Sequence, residues 1–105
     1  MNKIAFLNDG LRRTFARGKV VMTQGVAALP EETLTIVFER LRHFNDFTPD
    51  NDPYGEHDFG RFDVAGVTYF FKVDYYSPDM EGGSEDPADP EKTTRVLTIM
   101  RADEY

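Results

Sequence analysis

The chain has 105 residues, of which 40% are hydrophobic and 13% aromatic, and it carries a net charge of −7 with no cysteine. This length predicts one domain, residues 1–105, and the apolar content is that of a folded protein. The lack of cysteine excludes disulfides and thiolate metal sites, and no apolar run reaches the ~18 residues of a membrane-spanning helix. The first nine residues also lack the hydrophobic segment of a secretory signal, so we expect a soluble, cytoplasmic protein.

A first amphipathic helix is predicted for residues 3–17. Its apolar residues recur at spacings of three and four, which places them on one face: Ile4, Leu7, Leu11 and Phe15. Asn2 can cap the start of this helix, and Gly18 can close its end in a left-handed conformation. Three solvated arginines are expected to complement the dipole at its C-terminal end: Arg12, Arg13 and Arg17.

A short β-branched strand, residues 19–23, precedes a second helix, residues 30–44, and residues 25–29 are expected only to connect them. Pro30 suits the first turn of that helix because its fixed φ is already helical. The core-facing residues are again spaced by three and four: Leu34, Val37, Phe38, Leu41 and Phe44.

Residues 50–60, here called the junction, contain turn formers, carboxylates and one histidine but no aliphatic residue. The segment from Asp52 to Gly55 fits a type I turn, because Asp can bond the downstream backbone and Gly is favoured at the fourth position. Phe47 is expected to pack beneath this turn. The sequence therefore predicts a rigid, charged connection between the helices and the remaining strands.

The remaining strands are predicted at residues 59–64, 67–76 and 94–100, with a hairpin turn at Ala65-Gly66. Residues 67–76 alternate between two faces, which is typical of a strand with one face on a core. Residues 77–93, here called the long loop, hold three prolines and six acids and predict no regular structure. The element order predicts an α+β fold with two helices on one face of a mainly antiparallel sheet of three to four strands.

The charge of the chain is unevenly distributed. Residues 46–91 hold thirteen acids and two bases, a net charge of −11, whereas the segments before and after them carry +3 and +1. Such asymmetry indicates an electrostatic partner surface, and a solvated face that maintains solubility is an alternative of about equal weight.

Several motifs are distinctive: Asn-Asp-Pro-Tyr-Gly-Glu-His-Asp-Phe-Gly (51–60), Asp-Pro-Ala-Asp-Pro (86–90) and Arg-Val-Leu-Thr-Ile-Met (95–100). Together they resemble a small alphaproteobacterial family known only as a domain of unknown function, over nearly the whole chain. The resemblance implies no activity for any single residue. Members of that family resemble the accessory genes of plasmids and prophages, and one small anti-CRISPR protein is similar in size and acidity. The resemblance therefore favours interference with a defence complex.

A dense, fixed array of carboxylates can compete for a channel of Lys and Arg, because duplex DNA carries one charge per ~1.7 Å of its axis. We therefore predict a non-enzymatic inhibitor that mimics nucleic-acid charge and blocks DNA binding by a basic channel, such as that of a CRISPR effector complex. The predicted partner-binding residues are Asp50, Asp52, Tyr54, Glu56, Asp58, Asp74, Asp79, Glu81, Glu85, Asp86 and Asp89. Arg61 and Lys72 are the expected braces of this array. This hypothesis includes no cofactor, metal, membrane or direct nucleic-acid contact.

Two other functions fit the same residues. Asp52, Glu56, His57 and Asp58 have the side chains of a metal- or ligand-binding protein or a hydrolase, with His57 as general base. A hydrogen-bonded His57 that stabilises the turn is given about three times the weight of a catalytic His57. If residues 56–58 lie in a strand, His57 points to the face opposite Glu56 and Asp58, because consecutive strand residues alternate between faces. The remaining alternative is a homodimeric interaction module, formed through an edge strand or through exposed Phe70 and Tyr76.

Overall fold

The computed structural model describes residues 2–105, which form three α-helices and a four-stranded mixed sheet. The helices are α1 (Lys3–Thr14), α2 (Gln24–Ala27) and α3 (Glu31–Arg42). The strands are β1 (Lys19–Met22), β2 (Phe59–Val64), β3 (Val67–Tyr76) and β4 (Thr94–Arg101). The predicted α+β fold and its element order are therefore confirmed, with α2 as an additional short helix in the segment that was expected only to connect.

The strands are arranged in the order β1-β4-β3-β2. β2, β3 and β4 form an antiparallel meander, whereas β1 pairs in parallel with β4, so that Val20 lies beside Leu97. The predicted hairpin is present, and Ala65 and Gly66 both have positive φ values, 51° and 80°. Two consecutive left-handed residues are what a tight two-residue hairpin requires.

All three helices pack on the same face of the sheet and form one core with it. Residues 69, 71 and 73 of β3 are buried on this face, as the alternation predicted. The buried apolar cluster contains Leu11, Val26, Val37, Leu41, Phe62, Val64, Tyr69, Phe71, Val73, Leu97 and Ile99. The helices are therefore layered on one side of the sheet.

The first helix differs from its prediction at its end and on its buried face. Asn2 caps its start as expected, with its Oδ1 accepting the Ile4 N–H at 2.8 Å. The helix ends at Thr14 because Phe15, not Gly18, takes the left-handed conformation, with φ of 58°. Its buried residues include three polar side chains as well as apolar ones: Ala5, Asn8, Asp9, Leu11 and Arg12. The prediction that Arg12 is solvated is therefore wrong.

The rest of the chain shows two smaller differences. α3 begins at Glu31 after Pro30, and it ends at Arg42, so Phe44 packs on the core from outside the helix. The long loop contains a 3-10 turn at Pro90–Lys92 and a β-bridge between Tyr76 and Gly83. The loop is therefore more ordered than its composition indicated.

The outer face of the sheet is partly covered by the end of the chain. Phe70 packs against Phe59 and Tyr105, with ring centroids 5.3 and 5.5 Å away. The Glu104 carboxylate accepts hydrogen bonds from the Thr23 hydroxyl at 2.6 Å and the Gly25 N–H at 2.7 Å. Within residues 2–105, no helix has the length and apolar character needed to cross a membrane.

Candidate functional site

The junction is built around the Asp52 side chain. The Gly55 N–H donates to the Asp52 carbonyl at 3.0 Å, which closes the predicted turn. The Asp52 Oδ1 accepts the backbone N–H groups of Glu56 at 3.1 Å and His57 at 3.2 Å. Asp52 is buried, and His57 is held in the left-handed region with φ of 57°. The Asp52 carboxylate therefore stabilises the turn from within and is not presented to a partner.

His57 connects the junction to α1. Its Nδ1 lies 3.0 and 3.1 Å from the two carboxylate oxygens of Asp9, and its Nε2 lies 3.7 Å from Oδ2 of Asp52. The ring stacks on Phe47 with centroids 3.9 Å apart, which confirms Phe47 as the anchor beneath the turn. Within residues 2–105 no hydroxyl group is hydrogen-bonded to His57. With both ring nitrogens directed at carboxylates, the geometry favours a structural role for this histidine.

Arg12 lies at the centre of the polar network beneath the junction. It is 1% exposed, and its Nη2 donates to Asp9 at 2.8 Å while its Nη1 donates to the carbonyls of Leu41 and Arg42 at 3.1 Å. Burial lowers the pKa of Arg12, and the hydrogen bond to Asp9 opposes that effect. Because those carbonyls end α3, the guanidinium complements the negative end of that helix. Arg12 and Asp9 thus join both long helices to the junction.

A second set of hydrogen bonds connects α1, the junction, both central strands and the long loop. The Asn8 Nδ2 donates to the Tyr75 hydroxyl at 2.8 Å and to the Glu56 carbonyl at 3.0 Å. The Tyr75 hydroxyl donates to the Glu56 carboxylate at 2.9 Å, and burial is the main cause that raises the pKa of Tyr75. Arg95 donates through Nε to Asn8 Oδ1 at 2.9 Å and through Nη2 to the Pro87 carbonyl. Arg95 therefore fastens the long loop to the core.

Four predicted residues next to this network are partly or wholly occupied by internal contacts. Asp52 is buried and Glu56 binds Tyr75, as described above. Asp58 is half-buried, and its pKa is raised first by burial and then by the carboxylates of Glu56, Asp52 and Asp74. Asp74 pairs with Lys72 at 3.1 Å, within the same strand. Within residues 2–105 Arg61 forms no ion pair, so the prediction that it braces the carboxylates is wrong.

The other predicted residues lie at the surface. Tyr54 is 81% exposed at the tip of the junction turn, and Asp89 is half-buried. The exposed acids are Asp50, Asp79, Glu81, Glu85 and Asp86. The structure thus separates the predicted set into carboxylates that stabilise the fold and carboxylates that face solvent.

The long loop has its own hydrogen bonds. The Asp79 carboxylate accepts the Ser77 hydroxyl at 2.5 Å and the Glu81 N–H at 3.0 Å, and these bonds lower the pKa of Asp79. The Asp89 side chain accepts the Glu91 N–H at 2.9 Å at the start of the 3-10 turn. These local bonds hold the loop backbone in place despite the repulsion among its acids.

No group of three or more His, Asp or Glu side chains within residues 2–105 is arranged to hold a metal ion. This finding covers the junction, where Glu56 and Asp58 lie on either side of His57 in the sequence. The Glu56 carboxylate accepts the Tyr75 hydroxyl, and the His57 ring faces Asp9 and Asp52.

Comparison with known protein families gives a match. A family described as a protein of unknown function (DUF3768) matches residues 22–104. The chain belongs to the DUF3768 family. Searches of curated proteins and of solved structures found no match for it. The DUF3768 segment contains the junction and the long loop, and α1 precedes it.

Sequence reasoning missed four buried polar residues: Asn8, Asp9, Arg12 and Arg95. The first three share one helical face with Ala5, because spacings of three, four and seven return to the same side. That polar face was a usable signal, but each residue alone had a conventional surface role. Arg95, a charged residue next to the apolar pair Val96-Leu97, was the other signal that the sequence offered.

Proposed function

We propose that this protein is an acidic, non-enzymatic binding protein that occupies a basic nucleic-acid-binding channel and thereby blocks DNA binding. The observation that supports this most directly is the state of the long loop. Its carboxylates Asp79, Glu81, Glu85 and Asp86 are exposed, and its backbone is held by internal bonds and by Arg95. A fixed array of exposed charge is what competition with a polyanion requires.

The position of the loop also supports the proposal. It follows β3 directly, and Pro87 is bonded to Arg95, whose Asn8 partner contacts the junction at Glu56. The two acidic segments therefore meet on one hydrogen-bond network. Exposed charges within about one Debye length, ~8 Å at physiological salt, act together on a partner. Tyr54, at the exposed tip of the junction, supplies an aromatic side chain suited to anchoring a contact.

The target that suits this surface is a cytoplasmic nucleoprotein complex with a channel of Lys and Arg. A CRISPR effector complex has such a channel, which holds the guide–target duplex through its backbone rather than its sequence. In this proposal the protein acts as an inhibitor of host defence, of the kind that a mobile genetic element would carry. The partner is then a protein surface, without direct contact to nucleic acid.

Displacement of DNA from a purified CRISPR effector complex tests the proposal. Fluorescence anisotropy of a labelled target duplex is measured while the protein is added at about 50 mM and about 200 mM salt. The test variant carries Asp50→Asn, Glu81→Gln and Glu85→Gln, all at exposed positions. The control variant makes the same charge change at exposed sites away from both acidic segments: Glu32→Gln, Glu39→Gln and Asp103→Asn.

We expect the wild type and the control to displace DNA, and the test variant to need at least about tenfold more protein at low salt. We also expect displacement by the wild type to weaken steeply at the higher salt concentration, because the interaction is electrostatic. A test variant that displaces DNA as well as the control does would refute the charge mechanism. Failure of the wild type to displace any DNA would refute the target.

A further inference from the structure

The two buried arginines of this protein differ in their ionic partners. Arg12 is paired with Asp9 at 2.8 Å. Arg95 is only 4% exposed, yet within residues 2–105 no carboxylate lies within 4.0 Å of its guanidinium. Its Nε and Nη2 donate to neutral oxygens, its guanidinium lies over the Tyr75 ring at 5.3 Å from the centroid, and no described residue accepts a bond from its Nη1. A buried cation without an anion is unfavourable, so buried charges are normally paired.

Arg95 lines a cavity of about 260 Å³ between α1 and the end of the long loop. The walls include Phe6, Leu7 and Leu11 of α1 and Pro90 of the 3-10 turn. The cavity has two ionisable groups in its lining, Arg95 and the exposed Arg17, and no carboxylate. Leu7 and Leu11 belong to the apolar stripe that the sequence assigned to the core; Leu11 is part of the buried core, and both residues also line the cavity.

We propose that this cavity binds a small organic acid, with its carboxylate on the guanidinium groups of Arg95 and Arg17 and its apolar body against α1. The planar guanidinium fork matches a carboxylate in two-point contact. Phe6, which is 66% exposed, would lose solvent contact when the apolar body is bound. The cavity is slightly smaller than the roughly 300–1,000 Å³ of drug-sized ligand sites, which favours a small ligand.

The electrostatics of the cavity support an anion as the ligand. Burial lowers the pKa of Arg95, which reflects how poorly the cation is solvated, and the nearby Tyr75 and Glu56 oppose this effect without an ion pair to the guanidinium. A bound carboxylate would compensate the charge directly. The cavity borders the long loop, but its lining holds no carboxylate, so binding of an acid there is tested separately from the proposed inhibition.

A matched pair of small molecules tests the charge requirement. 3-Phenylpropionate and its neutral amide, 3-phenylpropanamide, are titrated into the ¹⁵N-labelled protein at concentrations up to about 10 mM. We expect the acid to shift the amide signals of Gly10 and Thr93, which line the cavity, and the amide analogue to bind at least about tenfold more weakly. Arg17→Gln should weaken binding of the acid without unfolding the protein, because Arg17 is exposed.

A second variant tests the location without disturbing the Arg95 network. Gly10 lines the cavity, and a Cβ atom built there has no neighbour within 4 Å. Gly10→Leu should therefore fill the cavity and abolish binding while the helix remains at least as stable. Gly82→Leu, at an equally open position in the long loop, is the control and should bind the acid as the wild type does.

Three results would overturn the inference. They are no binding of the acid at about 10 mM, equal affinity for the acid and the amide, and unchanged binding by Gly10→Leu. None of them bears on the displacement of DNA, so failure of this site and failure of the proposed inhibition are distinguishable.

Discussion

The junction and the long loop are both acidic, but they use their carboxylates in opposite ways. In the junction, the buried Asp52 accepts two backbone N–H groups and Glu56 accepts the Tyr75 hydroxyl. In the long loop, Glu81 and Glu85 are exposed, and the only ion pair there is an exposed one between Glu85 and Lys92 at 3.5 Å, within residues 2–105. One block of negative charge in the sequence therefore comprises a structural part and a part that is available to a partner.

The largest effect on stability is expected when the buried ion pair beneath the junction is broken. Asp9→Asn leaves the Arg12 guanidinium buried without its charged partner and weakens the contact to His57. Because an uncompensated buried charge is costly, we expect the free energy of unfolding to fall by about 3–5 kcal/mol. Urea denaturation followed by circular dichroism measures it. A loss below about 1 kcal/mol would show that the junction does not depend on this pair.

A medium effect is expected from the turn itself. Asp52→Ala removes the acceptor of the Glu56 and His57 N–H groups. These half-buried donors then lack that hydrogen bond. We expect a loss of about 1–3 kcal/mol in the free energy of unfolding. The matched control, Asp50→Ala, changes an exposed residue two positions earlier and should stay within about 0.5 kcal/mol. Equal losses in the two variants would contradict the distinction between buried and exposed carboxylates.

A smaller, pH-dependent effect is expected at Asp58. The pKa of its carboxyl group is raised in the folded state, so the folded protein binds its proton at a higher pH than the unfolded chain does. The ionised carboxylate is therefore destabilising at neutral pH, and this effect disappears as the pH falls through the raised pKa toward the ordinary value of about 3.9. Asp58→Asn should raise Tm at pH 7 by less than about 4 °C, and by less still near pH 4.

The opposite change in Tm for Asp58→Asn would contradict this prediction. If Asp58→Asn lowers Tm at pH 7, the ionised carboxylate is stabilising and the neighbouring acids are not close enough to repel it. Asp79, whose pKa is lowered by its bonds to Ser77 and Glu81, should behave in the opposite sense. Its contribution to stability is present above the unfolded-state pKa and is lost as the pH falls through the lowered value.

The smallest effect is expected in the long loop. Glu81→Gln combined with Glu85→Gln removes two exposed charges and one exposed ion pair. Because surface ion pairs contribute little, the free energy of unfolding should change by no more than about 0.5 kcal/mol. Thermal and urea denaturation of this double variant measure the change. A loss above about 1.5 kcal/mol would show that the loop carboxylates support the fold as well.

Local patterns in the sequence were sufficient to predict most of the fold. The alternation of residues 67–76, the Ala65-Gly66 turn and the turn from Asp52 to Gly55 depend on near neighbours, and the structure confirms them. The parallel placement of β1 beside β4 was not predictable, because it depends on residues about 77 positions apart. The sheet was expected to be mainly antiparallel and is mixed for this reason.

The polar network was beyond prediction for the same physical reason. An arginine such as Arg12 is ordinarily at the surface, and only its distant partners, the carbonyls that end α3, make burial acceptable. Likewise, Asp9 and His57 are 48 positions apart in the sequence. Composition revealed how much charge the middle of the chain carries, but not which carboxylates the fold would use.

The position of α1 determines whether the DUF3768 segment can fold without the rest of the chain. The DUF3768 match begins at residue 22, after the helix that supplies Asn8, Asp9 and Arg12. A fragment that begins at residue 22 would lose Asp9, the partner of His57, and the side chains that α1 contributes to the core. The face of the sheet on which α1 packs would then be uncovered. The stretch that recurs among relatives is thus shorter than the piece of polypeptide that has to fold together.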